Sequence, residues 1–390
     1  MVQKLLVRGA RQLLTLQGPA GPRRGAHLGN IGLISDGAVL ISDGLIEEVG
    51  SSRRIENLAE ARFAHEIVAA GRVVMPAFVD SYVNPFRPPP HDRKVFAGWP
   101  EQQARRLMRH CIAHGTTTVE ARIPLDLQDS SHVKTLRMLK GLKEAATICL
   151  SVVLSRPEGN SGDDATELPA ILDQLLTRVS HKKLADCVSI VCDPNHFPVH
   201  QAKAILDRSL TLGLRRKVFA SEDWVDGSIA MAAASGADCV EGLNHVTEYD
   251  ARSLRLGTTI ATVFPADAYT QARTPAPARM LADFGVPICL ATGVNRDTLG
   301  TFSMQAAICE AVRSYRLTAE EAISAATING AYAVGLGTIT GSIEFGKQAN
   351  LLLLDTSDYR DLTHYYGVNL TGMCIQRGEI VYRRQELSWP

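Results

Sequence analysis

Apolar residues fall into short runs along the chain, with one rhythm at its ends and another in its middle. Residues 1–74 read as strands and turns. "KLLVRGARQLLTL" is apolar and branched, "GAVLISDGLIEEVG" holds two strand-like runs joined at Asp43-Gly44, and "EIVAAGRVV" closes the segment. Between the first two, "QGPAGPRRGAHLGNIGLISDG" reads as a Gly/Pro-rich loop. The far end repeats the strand rhythm. "GSIEFGKQANLLLLDTSD" is a turn and then a buried strand, and "GMCIQRGEIVYRRQEL" is a hairpin that bends at Arg377-Gly378. Strands at both termini predict one composite β-sandwich domain, built from residues 1–74 and 337–390.

Residues 75–336 alternate differently. Strand-like runs occur at "VVMPAFVDSY", "TTTVEAR", "TICLSVVLS", "CVSIVCD", "RRKVFAS", "DCVEGLNHV", "TTIATVFP" and "VPICLATG", and most are separated by helical patterns such as "VHQAKAILDRSLTLG". Eight strands with helices between them predict a TIM (β/α)8 barrel, so the fold class is α/β. A doubly wound open sheet shares the rhythm, but eight units and terminal strands that pair with each other favour the barrel. Chemistry in such a barrel sits where strands end. The first strand ends at Tyr82 and Asn84, the second at Glu120 and Arg122, and the third at Arg156. Cys192 and Asp193 end the fourth, and Phe219, Glu222 and Asp223 the fifth. Gly242, Asn244 and His245 end the sixth, Pro265, Asp267 and Tyr269 the seventh, and Gly293, Asn295 and Asp297 the eighth.

Composition narrows the function classes. Lys plus Arg number 41 and Asp plus Glu 41, so no global field recruits nucleic acid or a membrane surface. No apolar run approaches the roughly 20 residues that span a bilayer. The start, "MVQKLLVRGARQLLTLQG", lacks a signal-peptide core and alternates like a strand. The eight cysteines stand singly in apolar runs with no C-x-x-C pair, which reads as buried free thiols in a reducing cytoplasm.

Three segments, "AHGTTTVEAR", "AISAATINGAYAVGLGTITGSIEFGKQANLLLLDTSDYRDL" and the opening β region, resemble the amidohydrolase superfamily, and specifically its imidazolonepropionases, which open a cyclic amide ring. The likeness runs almost end to end. It implies a barrel carrying a composite β sandwich, a cytoplasmic location and a homodimer.

The resemblance also implies a divalent metal held by a His-x-His on the first barrel strand, a His on the fifth and an Asp on the eighth, with another His near the end of the sixth. The matching positions here are Tyr82 and Asn84, Phe219, Gly293, and Gly242 with His245 three residues later. A catalytic metal needs three or four imidazole or carboxylate ligands. No catalytic zinc or iron is therefore expected. Arg156 stands where the family carries a substrate-contacting His. The connection after the first strand, with Pro88, Pro89 and Pro90, is much shorter than the family's Gly-rich insert. Glu222 matches the family's acid/base carboxylate and Asn295 a substrate-contacting Asn.

Two readings follow. In the first, the chain is a catalytically silent homologue or small-ligand binder whose pocket draws on Tyr82, Asn84, Glu120, Arg156, Phe219, Glu222, Gly242, Gly293 and Asn295. Arg122 and Arg156 would then attract an anionic ligand. In the second, it is a metal-independent hydrolase or isomerase on a small cyclic amide. Glu222 is then the general base, and Asp223 or His245 assists. One general acid–base group supplies only about 10² to 10⁴-fold, so this second reading requires an activated substrate. A purely structural role is a third, unselected reading.

Overall fold

The computed structural model of the protein describes residues 4–84, 100–125, 131–141, 147–154, 168–221, 224–294 and 300–385. The chain opens with β1 (Lys4–Leu14), β2 (Leu33–Ser42), β3 (Leu45–Ser51), β4 (His65–Val68) and β5 (Val73–Pro76). The middle supplies β6 (Phe78–Val83), β7 (Thr116–Leu125), β8 (Thr147–Leu154), β9 (Cys187–Cys192), β10 (Arg215–Ala220), β11 (Cys239–Glu241), β12 (Ile260–Val263) and β13 (Ile288–Leu290). The end adds β14 (Leu351–Leu354), β15 (Thr371–Gln376) and β16 (Glu379–Arg383).

These strands form two sheets. The terminal sheet runs β16-β15-β14-β5-β1-β2-β3, with β4 also paired to β1. Its centre is the antiparallel pairing of β14 with β5, Leu352 opposite Met75, which joins the two ends of the chain. The Asp43-Gly44 and Arg377-Gly378 bends both hold left-handed backbone, at φ 49° and 80° and φ 49° and 78°. That is the two-residue hairpin geometry which matches strand twist.

The second sheet is parallel, in the order β13-β12-β11-β10-β9-β8-β7-β6. A bridge from Val83 to Val294 closes it, and the Asn84 backbone N–H donates to the Val294 carbonyl at 2.9 Å. Helices such as Leu168–His181 and Val199–Thr211 cover the outside. The result is the expected (β/α)8 barrel, with strands buried on both faces as the closed parallel form demands.

The motif "ATINGAYA" locks the two parts together. The fully buried Asn329 amide donates to the Arg23 carbonyl at 2.8 Å and to the Ile288 carbonyl at 2.7 Å, and its oxygen accepts from Arg23 N–H at 2.6 Å. One side chain thus satisfies a strand end and the long N-terminal connection at once.

Two local expectations differ from the structure. β2 starts at Leu33, inside the stretch that reads as loop, because the long β1 continues past a bulge and pairs Leu14 with Leu33. Asp36 takes φ 50° beside that bulge. A helix over Pro100–Ala113 also leads into β7, where the proline-rich start masks the helical period. Pro88, Pro89 and Pro90 lie outside the described residues. No helix of the described residues is long and apolar enough to cross a membrane.

Candidate functional site: the barrel interior and mouth

Inside the barrel, alternate residues of each strand point to the axis. In β7 these include Glu120 and Arg122, in β10 Lys217 and Phe219, and in β11 Glu241. Four of them are charged and essentially solvent-free: Arg122 is 1% exposed, and Glu120, Lys217 and Glu241 are 0%. They form one connected set. Arg122 Nε lies 2.7 Å from Glu120 Oε1, its Nη2 contacts Glu241, and Lys217 Nζ lies 2.9 Å from Glu120 Oε2. Arg122 Nη1 also donates to Ser189 Oγ at 2.7 Å and Nη2 to the Ser81 carbonyl at 3.4 Å. Two carboxylates face two cations, so the set is neutral.

Burial opposes the charges of Glu120, Arg122 and Lys217, and their partners override it. Burial alone would raise the Glu120 carboxyl, yet Lys217 and Arg122 hold it below its ordinary value. Burial would lower Arg122, yet Glu241 and Glu120 raise it. Lys217 is likewise raised against burial, by Cys239 and Glu120. The energy of this set rests on mutual geometry rather than on solvent.

Above the charges lies an aromatic layer. The Tyr82 ring stands 4.8 Å over the Arg122 guanidinium. Tyr82 meets Phe264 edge-on, with ring centroids 5.0 Å apart, and Phe219 stacks on Phe264 at 6.3 Å. Two of the matched metal positions, Tyr82 and Phe219, therefore converge on one apolar residue of the seventh strand end.

The glycines at the other two strand ends are built into the backbone. Gly242 has φ 72°, and a Cβ there would stand 2.3 Å from the Ala220 carbonyl oxygen. Gly293 has φ 68°, and a Cβ there would lie 3.0 Å from the Cβ of Asp267 and 3.3 Å from Phe264. Such approaches suit a residue without a side chain. Asp80, one turn of pleat below Tyr82, is buried and accepts from Thr292 Oγ1, from Thr292 N–H at 3.1 Å and from Tyr82 N–H at 3.2 Å. Burial pushes its carboxyl up to about 6, against these hydrogen bonds and the charge of Arg122.

A divalent ion of the kind the fold family uses requires imidazole or carboxylate donors at this mouth. Tyr82, Asn84, Phe219, Gly242 and Gly293 offer neither imidazole nor carboxylate, and three of them have no ligating atom at all. Among the described residues, no group of three or more His, Cys, Asp and Glu side chains is placed to hold a metal. The residues present do not fit the ion.

The structure sorts the remaining candidates. Glu120 and Arg122, read from sequence as mouth groups facing a ligand, are instead sealed in the ion network, because i, i+2 spacing in a barrel strand places both on the axis below the rim. Asn84 is buried at the rim. His245 is exposed on the connection after β11 and lines a recess with Ser221 and Asp226, away from the four charges. Arg156, Glu222 and Asn295 lie outside the described residues, as do Asp223 and Asp297. Lys217 and Glu241 went unnoticed in the sequence, although Lys217 precedes Phe219 by two and Glu241 directly precedes Gly242. All eight cysteines are buried free thiols.

Comparisons with known proteins agree with this architecture. The family pattern described as "Amidohydrolase family" matches residues 225–378. An imidazolonepropionase of Solibacter usitatus is 30% identical over 419 aligned positions, covering 96% of this chain and 97% of that one. That of Geobacillus kaustophilus is 29% identical, covering 97% and 98%. Among solved structures, a triazine hydrolase variant superposes with a TM-score of 0.77 at 14% identity over 98% of this chain and 95% of its own. A zinc-bound adenosine deaminase from Xanthomonas campestris superposes with 0.71 at 16% over 99% and 94%. These structural likenesses carry the fold, and the sequence likeness carries the family: the chain belongs to the amidohydrolases and is similar along its whole length to their imidazolonepropionases.

Proposed function

We propose that this chain is a catalytically silent amidohydrolase homologue, a small-ligand binder or partner that works without the family's metal-dependent hydrolysis. The observation that supports it most directly is Arg122. Its guanidinium bridges Glu120 and Glu241 beneath Tyr82, so the carboxylates under that first-strand position are already committed to a cation. The packing of Tyr82 and Phe219 on Phe264 supports the same reading, since aromatic contacts occupy two of the matched ligand positions. The homodimer and the cytoplasmic location stay part of the proposal and rest on the resemblance.

The test is direct. The purified full chain is assayed for bound divalent metal and for turnover of the imidazolonepropionate ring that names its relatives. Substoichiometric metal and no turnover above background are expected, with or without added zinc or iron. One tightly bound ion per chain, or metal-stimulated turnover, refutes the proposal. If turnover is found without metal, Glu222→Gln decides whether Glu222 is its general base. Light scattering after gel filtration tests the dimer.

A further inference from the structure

The end of the barrel opposite the aromatic rim carries a cavity of about 630 Å³, independent of the reading above. It is framed by the starts of β8 and β10, by the end of the Leu168–His181 helix, and by the β15–β16 hairpin of the terminal sheet. Three cations from three separate elements line it: Lys183 after that helix, Arg215 at the first position of β10, and Arg377 at the hairpin bend. Against them stands Asp186, whose carboxylate already accepts the Leu150 backbone N–H at 2.8 Å. Arg215 is partly engaged, with Nε 3.4 Å from Asp238 and Nη2 donating to the Ala333 carbonyl. The lining therefore has a positive excess and an apolar part that includes Leu212 and Leu336.

Backbone conformation adds a second observation. Lys183 and Arg377 both sit at φ 49°. The left-handed region favours Gly or Asn, and a long cationic residue there is held at a cost of roughly 1 kcal/mol. Lys183 N–H bonds the Ser180 carbonyl at 2.8 Å and Leu184 N–H the Val179 carbonyl at 2.9 Å, the closing pattern of a helix end that glycine ordinarily serves. Arg377 occupies the first bend position of a two-residue hairpin, where Asn, Asp or Gly is the usual choice. Local fold alone thus prefers other residues at both positions, while the cavity receives a cation from each. Left-handed backbone also occurs at Leu16, Asp36, Asp43, Ala272 and Arg316 away from this cavity, so the convergence of the three cations is what carries the inference.

We propose that this cavity binds a nucleoside phosphate, with the phosphates held by Lys183, Arg215 and Arg377 and the base laid on the apolar wall. The volume lies within the roughly 300–1,000 Å³ of small-molecule sites. Convergent cations from separate elements match a multiply charged group. Because one cation belongs to the terminal sheet and two to the barrel, occupancy would tie the two sheets together.

The experiment is titration calorimetry of the full chain with ADP, adenosine and tripolyphosphate at fixed salt, repeated on Lys183→Gly/Arg377→Gly. Glycine suits both backbone positions, so the melting temperature of this variant should equal or exceed that of the native chain, and misfolding cannot explain a loss. Saturable ADP binding is expected, with adenosine undetectable, tripolyphosphate at least tenfold weaker than ADP, and ADP at least tenfold weaker on the double variant. No ADP binding at millimolar concentration, or unchanged binding by the double variant, overturns the site. Tripolyphosphate binding as tightly as ADP overturns the nucleoside class.

Discussion

Replacing Arg122 by methionine isolates what the buried ion network is worth. Methionine keeps much of the side chain's stem volume, so the perturbation is mainly electrostatic. It removes contacts to Glu120, Glu241, Ser189 and the Ser81 carbonyl, and the cation beneath Tyr82. Glu120 keeps Lys217 at 2.9 Å. Glu241 has no second ion pair of this quality among the described residues, and its Oε2 already lacks a hydrogen-bond partner there. Leaving a buried charge without its partner costs about 3–5 kcal/mol. Unfolding entropy of about 2.1 cal/mol/K per residue, over 390 residues, converts this to a fall of about 4–6 °C in melting temperature. Scanning calorimetry reads the shift. Adding Glu241→Gln to the variant removes the orphaned charge, and the double variant should regain about 1–3 kcal/mol relative to additivity. A fall under about 1 °C for the single variant, or strictly additive effects, refutes the claim that Arg122 and Glu241 form an interdependent pair.

Asp80 sets a pH dependence with a definite sign. Its carboxyl titrates near 6 when buried, against 3.8 in the open chain. Between those values the native state holds a proton that the unfolded chain has released. Its contribution to stability is therefore present at low pH and lost as pH rises through 6, by about 3 kcal/mol in all and about 2 kcal/mol between pH 4.5 and 7.5. Asp80→Asn should remove that decline, measured as the difference from the native chain in urea unfolding at pH 4.5 and 7.5; identical slopes refute it. Gly242→Ala should lower stability by about 3 kcal/mol, more than Gly293→Ala, because its new Cβ meets backbone at 2.3 Å rather than side-chain atoms at 3.0 Å. Equal urea midpoints contradict this. The eight buried thiols should resist an aromatic disulfide reagent in the native state and react fully in denaturant. Burial pushes Cys192 and Cys374 up to about 12, and prompt native labelling of these residues refutes the burial argument.

The barrel was legible because parallel strands closed on themselves are apolar on both faces, and "CVSIVC" and "TICLSVVL" announce that at once. The hairpins were legible from Asp43-Gly44 and Arg377-Gly378, each a local signal. The network was not. Glu120 and Arg122 are two residues apart, but Lys217 and Glu241 are brought to them only by barrel closure, through β8, β9 and β10. A charge near a strand end reads as a rim group unless the depth of its inward position is known, and depth depends on strand stagger around the whole barrel. The glycines illustrate the same limit from the other side. Sequence identifies Gly242 and Gly293 as positions without a ligand, whereas their φ values, the nearness of the Ala220 backbone to one and of the Asp267 and Phe264 side chains to the other show that neither leaves room for a side chain.

These two features together oppose a divalent ion at the mouth more strongly than the four aligned residues alone suggest. A divalent ion is stabilised by a ligand set carrying negative charge in a dry site. Here the interior carboxylates Glu120 and Glu241 are already neutralised by Arg122 and Lys217. Imidazoles restored at Tyr82, Asn84 and Phe219 would bring an ion toward a fixed guanidinium, while the carboxylate needed at Gly293 would press on Asp267. Recovery of metal binding should therefore require Arg122 to be changed along with the four ligands, ideally to a neutral residue with Glu241 retained. If the four ligand substitutions alone yield a tightly bound ion with Arg122 in place, then the interior charges do not govern the mouth, and this electrostatic account fails.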